Sequence, residues 1–316
     1  MDGRSSWLMA AIACGVAAFA PVVLGKPALP ADATVDAIRW QLALEREGFS
    51  PGLIDGRIGG KTVLATEEFQ RARGLAVTGR ADPATAEALL AGDAPVLTTY
   101  AVQAADLEQV TGVPSGWVAK SGARRLGYGS LIEALAEKHH CSQNLLRQLN
   151  SGTDLSGLRA GRTLVVPALG KMHSADVNRL EINLTHKTIR AFDRQGRVVG
   201  LFHCSVAAHV EKRPKGTTQV VVVAKDPSYC FDPVHWPEVK GVQQKLLIPP
   251  GPRSPVGVCW IGLGLRGYGI HGTPNPELIG KTGSHGCIRL TNWDAARLGG
   301  MVRPGVAVTF VLGDVS

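Results

Sequence analysis

Two short segments hold residue types suited to acyl transfer: Ile270-His271-Gly272-Thr273 and Ser284-His285-Gly286-Cys287-Ile288-Arg289. A thiol that forms an acyl intermediate needs a base for its proton, a group that orients the base, and backbone donors for the developing oxyanion. His271, at the end of a predicted strand, supplies the base. Gly286 permits a sharp turn that presents consecutive N–H groups, with Cys287 at its edge. Ser284 follows His271 by 13 residues of Pro/Gly-rich loop, enough for the chain to fold back and bring imidazole to thiol. The planar donor fork of Arg289 suits either the loop or a substrate carboxylate. Ser284 and His285 complete the set, either as parts of the turn or, for His285, in contact with substrate.

Zinc is the competing chemistry. His271, His285 and Cys287 include suitable donors, but the chain has no HExxH, paired CxxC or other closed ligand set. His139 and His140 end a predicted helix, where adjacent side chains diverge and the helix dipole favours cations, so they read as structural. Of six cysteines, Cys14 belongs to the N-terminal apolar run, leaving an odd five. Cys204, Cys230 and Cys259 lack a neighbouring glycine turn and histidine, and read as small apolar residues or as one disulfide and a spare. His203 and Cys204 are strand neighbours and point to opposite faces, which makes them a poor dyad.

Several segments must position this chemistry. Residues 1–33 carry an apolar run, Trp7 to Leu24, behind Arg4, and read as an export signal or an N-terminal membrane anchor, with Ala31 to Ala33 a small-residue cleavage site. In residues 34–92, Val35, Ile38, Leu42 and Phe49 and then Val63, Leu64 and Phe69 fall at helical spacing around the turn Ile54-Asp55-Gly56, which predicts a small three-helix core. In residues 98–168, Leu131, Ile132, Leu135 and Ala136 mark one helix, Leu145, Leu146 and Leu149 a second, and Thr163 to Val166 a strand stopped by Pro167. Residues 173–312 alternate as strands at 180–184, 188–192, 198–204, 217–223, 257–261, 268–271 and 306–312, separated by Gly, Pro, Asp and Asn. The fold class is multidomain α+β.

Three resemblances follow from these residues. Gly48-Phe49, Leu53-Ile54-Asp55-Gly56, Gly59, Thr62, Phe69-Gln70, Gly74-Leu75, Gly79 and Thr85 resemble the peptidoglycan-binding helical domain, with Lys61 a local variation. Asn150, Leu158, Gly161 and the strand ending at Pro167 resemble a LysM module, with Tyr100-Ala101-Val102 as its first strand. About thirty residues stand before its first helix where that family has only a few. His271-Gly272-Thr273, Ile279-Gly280, Ser284 to Leu290 and Asp294-Ala295, with Pro250-Gly251-Pro252 and Ser254 to Gly257, resemble the L,D-transpeptidase signature of YkuD type.

The third resemblance implies Cys287 as nucleophile, His271 as general base oriented by the Gly272 carbonyl, and an oxyanion hole at Gly286 and Cys287 with or without His285. It also implies a peptidoglycan tetrapeptide stem as donor, cut after its third residue, and an amine of a second stem as acceptor, giving a 3→3 cross-link without metal, nucleotide or other cofactor. Water or a lipoprotein lysine as acceptor, and a noncatalytic wall-binding adaptor, are the alternative readings.

Composition agrees with a wall protein. The 316 residues allow two or three domains, and 45% apolar with 19% charged residues excludes wholesale disorder. A net charge of +8 suits anionic stem carboxylates and glycan-strand substrates. No run of five basic residues and no aromatic–basic interleaving points to nucleic acid. An exported location, periplasm or cell wall, follows, and the oligomeric state is left open.

Overall fold

A computed structural model describes residues 32–89, 94–236 and 239–313. The export signal or anchor lies outside these residues but for its last two, and no helix among them is long and apolar enough to cross a membrane. Helices α1 (Asp32–Glu47), α2 (Gly60–Ala72) and α3 (Pro83–Leu89) come first. Strand β1 (Leu97–Ala101), helices α4 (Ala104–Glu108), α5 (Gly116–Ser121), α6 (Leu131–Lys138) and α7 (Gln143–Leu149), and strand β2 (Thr163–Pro167) follow. The rest is mainly strand: β3 (Arg179–Asn183), β4 (Thr188–Phe192), β5 (Val198–His203), β6 (Gly216–Lys225), β7 (Tyr229–Phe231), β8 (Leu246–Ile248), β9 (Cys259–Leu263), β10 (Gly269–His271) and β11 (Ile288–Arg289). Helix α8 (Asn292–Met301) and strand β12 (Ala307–Val311) close the chain.

Eight strands form one mixed sheet in the order β11-β10-β9-β6-β12-β3-β4-β5. Only β12–β3 and β10–β11 pair in parallel. Leu180 and Ile182 alternate inward from β3 and meet Ile261, Ile270, Leu298 and Phe310 in the main core. Every residue of β4 is buried, because its second face is covered by the helical domain. There Arg190 donates from Nε and Nη2 to the Glu68 carboxylate at 2.8 and 2.6 Å. Truncation to Glu68→Ala would leave Arg190 buried with only Glu181 at 3.5 Å. We expect it to cost about 3 kcal/mol in a urea unfolding titration, since removing one partner of a buried pair strands the other charge.

The edge strand β5 is capped by the loop after α1. Leu201 N donates to Gly48 O at 3.0 Å and Ser50 N to Leu201 O at 2.9 Å, which removes an open sheet edge. Phe49, Phe69, Trp40, Leu44 and Ala65 then pack with Leu201 itself. The sequence placed Ile38 and Leu42 in this helical core as well. They face the other way, into a cluster with Leu135, Leu145, Leu146 and Val166. Helix α1 is therefore apolar on two sides and serves two cores, which a single-face reading of its period could not separate.

Between these bodies β1 and β2 pair antiparallel, with α6 and α7 packed on them. Asn150 closes this unit: its Nδ2 donates to Leu146 O at 2.9 Å and Val165 O at 2.8 Å, and its Oδ1 accepts from Val165 N at 2.8 Å. The strand expected at 257–261 begins at Cys259 instead, because Gly257, at φ +61°, belongs to a turn.

Candidate active site

His271 and Cys287 reach one site through the β10–β11 pair. The parallel register sets Ile270 against Ile288 and His271 against Arg289. Cys287 stands one position before β11, in the turn that leads into it, and the Arg289 charge acts on both His271 and Cys287.

The turn before β11 is held from several sides. Ser284 Oγ donates to Cys287 O at 2.5 Å and accepts from Gly286 N at 3.2 Å. Its backbone is strapped to residues 205–208: Ser284 N donates to Val206 O at 2.9 Å, Ala208 N to Ser284 O at 3.0 Å, and Ser205 exchanges two bonds with Arg289 at 2.8 and 2.9 Å. Arg289 Nη2 donates to Gly283 O, while its Nε is buried with no partner. The exposed His285 sets its ring 4.3 Å from that of Trp236.

The imidazole is fixed in tautomer. His271 Nδ1 lies 2.7 Å from Gly272 O. A carbonyl only accepts, so Nδ1 must carry the proton and Nε2 holds the free lone pair. Trp260, directly across from His271 in the β9–β10 register, stacks on the ring at 5.6 Å and 21°. Burial, with a smaller effect of the Arg289 charge, pushes the ring's pKa down to about 4 against the opposing Gly272 bond. The Cys287 thiol is pushed up by burial, against smaller opposing effects of the Gly269 backbone N–H and Arg289. At rest the thiol donates to Gly267 O at 3.4 Å.

The Gly272 carbonyl is aimed by close packing. A Cβ on Gly272 would stand 2.2 Å from Asn292 Oδ1, and one on Gly257 would stand 2.0 Å from the same atom and 2.7 Å from Gly272 Cα. Asn292 Nδ2 donates to Pro252 O at 3.0 Å and to both Glu137 oxygens at 3.0 and 3.2 Å. Glu137, from α6, is raised to about 7 chiefly by burial. Gly257→Ala combines a left-handed φ with that clash, and should lower unfolding free energy by about 3 kcal/mol in urea.

Sequence reasoning missed Trp260, Asn292, and the Gly267 and Gly269 backbone groups. Trp260 becomes visible only once the register is known, because it lies 11 positions before His271. The other cysteines lie elsewhere. Cys141, Cys204 and Cys259 are buried, Cys230 is exposed, and all are free thiols. His203 Nε2 lies 3.0 Å from Lys61 O. His140 stacks on Trp293 at 5.0 Å and bonds Glu45 at 2.9 Å, while His139 meets Tyr100 edge-on at 5.1 Å, so the adjacent rings diverge.

A buried, carbonyl-oriented histidine thus ends one strand of a mixed β-sheet, and a cysteine stands just before the strand paired with it. Residues 177–310 match the family model "L,D-transpeptidase catalytic domain", and residues 34–89 match "Putative peptidoglycan binding domain". The chain is thus similar to L,D-transpeptidases, cysteine-dependent acyltransferases, in its C-terminal region and to peptidoglycan-binding domains near its start; neither match covers residues 90–176. The chain is similar to "Putative L,D-transpeptidase YkuD" of Bacillus licheniformis, at 28% identity over 181 residues, covering 57% of this chain and 93% of that one. It is also similar to "Probable L,D-transpeptidase YcfS" of Escherichia coli, at 26% over 189 residues, covering 58% and 59%. A solved L,D-transpeptidase of Xylanimonas cellulosilytica aligns at 16% identity and TM-score 0.36 over 87% of this chain and 93% of that one, too loosely for residue-level comparison.

Proposed function

We propose that the protein forms 3→3 cross-links in peptidoglycan through a thioester on Cys287, with His271 as its general base. The observation that carries this reading is the hydrogen bond from His271 Nδ1 to Gly272 O, which leaves Nε2 as an acceptor on a ring at the end of β10, the strand paired with the one that follows Cys287. A rotation of the cysteine side chain exchanges the Gly267 carbonyl for Nε2; catalytic hydrogen bonds commonly form only once substrate is bound.

The thiol proton then passes to Nε2 while sulfur attacks the carbonyl carbon of the third stem residue. The C–N bond to the terminal D-alanine breaks, and the imidazolium returns its proton to the leaving amine. The amine of a second stem next attacks the thioester, giving its proton to Nε2, and the C–S bond breaks to restore the thiol. The N–H groups of Cys287 and Gly286 hold the oxyanion. In the resting turn Ser284 Oγ accepts from Gly286, so Cys287 carries the larger share. Arg289 holds the loop through Gly283 O, and its guanidinium charge is the candidate partner for a stem carboxylate. Ser284 shapes the turn, and His285 lines its mouth beside Trp236.

The helical domain and the β1–α6–α7–β2 unit, read as LysM-like, tether the enzyme to the wall and raise its local substrate concentration. An exported protein acting in the periplasm or wall fits this substrate. Incubation of the mature protein with tetrapeptide muropeptides, followed by mass, tests the reading. Cross-linked dimers with released D-alanine support it. D-alanine without dimers makes water the acceptor, and neither product leaves a wall-binding adaptor.

A further inference from the structure

We propose that Trp117, carried by a segment that precedes the catalytic domain, positions the β7–β8 hairpin beside Cys287 and thereby sets how the acyl donor is held. The residues that the sequence left without a task, between β1 and α6, form α4, α5 and the strap around Leu126. The hairpin stands outside the eight-stranded sheet, and two strands of three residues cannot hold themselves. Its buried Phe231 and Ile248 find their apolar partners in Leu126 and Trp117.

The Trp117 ring stacks on Phe231 at 4.0 Å and 21°, and lies 5.5 Å from Trp236 and 6.2 Å from Tyr229. The backbone reinforces this contact. Leu126 N donates to Pro250 O at 2.9 Å, and Arg253 N to Leu126 O at 3.1 Å. Gly251 sits so close that a Cβ would come within 2.2 Å of Leu126 O.

At its other side the hairpin meets the nucleophile's turn. Trp236 Nε1 donates to Tyr229 Oη at 3.2 Å, and the Trp236 ring lies 4.3 Å from His285, two residues before Cys287. Cys287 is near enough for its charge to contribute to the raised pKa of the Tyr229 phenol, behind the larger effect of burial. Aromatic contacts thus run from Trp117 through Phe231 and Trp236 to the reacting turn. A residue in this place changes donor binding and thiol access, acting through the hairpin rather than on the bond being broken.

The kinetic arm of the test rests on the acyl-transfer reading; the labelling arm does not. In the full chain, Trp117→Ala should raise KM for tetrapeptide muropeptide about fivefold with kcat within about twofold. It should also speed iodoacetamide labelling of Cys287, mapped by peptide mass, by a similar factor. Trp117→Phe should restore both, and Val118→Ala, an exposed neighbour, should change neither. Should Trp117→Ala fail to fold, Phe231→Leu keeps the apolar volume while losing the stack and should reproduce both effects. Unchanged KM and labelling in a folded variant, or a fall in kcat alone, overturn the proposal. No turnover by the wild type, with labelling still dependent on Trp117, overturns the reaction and spares the positioning role.

Discussion

We expect Cys287→Ala to abolish D-alanine release, by at least about 10⁴-fold, while sacculus binding stays within about twofold. No other cysteine among the described residues is set up to substitute. Burial pushes the Cys141 thiol up to about 12 and raises those of Cys204 and Cys259 as well. Cys230 is exposed on the hairpin, and its sequence neighbours Tyr229 and Phe231 supply no base. Intact-protein mass should show an acyl adduct on the wild type and none on Cys287→Ala. An adduct on the variant would move the nucleophile to another residue.

His271→Gln should cost about 10³-fold in acylation and change the shape of the pH profile. Burial opposes charge on both partners, lowering the imidazole to about 4 and raising the thiol, so the resting pair is neutral rather than thiolate–imidazolium. The base is therefore available across neutral pH. Wild-type kcat/KM should hold through pH 6 to 8 and fall as acid approaches pH 4. Without the histidine only preformed thiolate reacts, so the residual rate should climb about tenfold per pH unit toward alkali. A flat profile for the variant would remove His271 as the base.

The same ring has a stability signature. Its folded pKa is depressed below the unfolded value of about 6.5. Its contribution is therefore present above pH 6.5 and lost as pH falls through about 4. The stability gap between wild type and His271→Gln, measured in urea, should narrow over that window. Glu137 runs the opposite way. Its raised pKa favours the fold in acid, and that contribution fades as pH rises through about 7.

Local chemistry made much of the site readable. Gly286 and Cys287 sit in a turn whose residues are contiguous, and His271 ends a strand recognisable from its own alternation. Helix α8 escaped notice because Gly299 and Gly300 lower its propensity. Gly299 is nevertheless required there, since a Cβ would come within 2.5 Å of Cys259 Sγ. Its start is set by Thr291, whose Oγ1 accepts from Asp294 N at 3.2 Å. The two faces of α1 likewise became distinguishable only when each had found its partner.

By itself the chain's order of residues pointed to the candidate pair and determined the turn that carries the thiol and the strand-rich frame behind it, because each depends on neighbours within a few positions. Tertiary structure alone decided that Trp260 would stack on His271, that Asn292 would fill the space denied to Gly257 and Gly272, and that Trp117 would support a hairpin more than a hundred residues away. These depend on strand register and on the docking of separate bodies, where contacts distant in sequence compete and the packed whole selects among them.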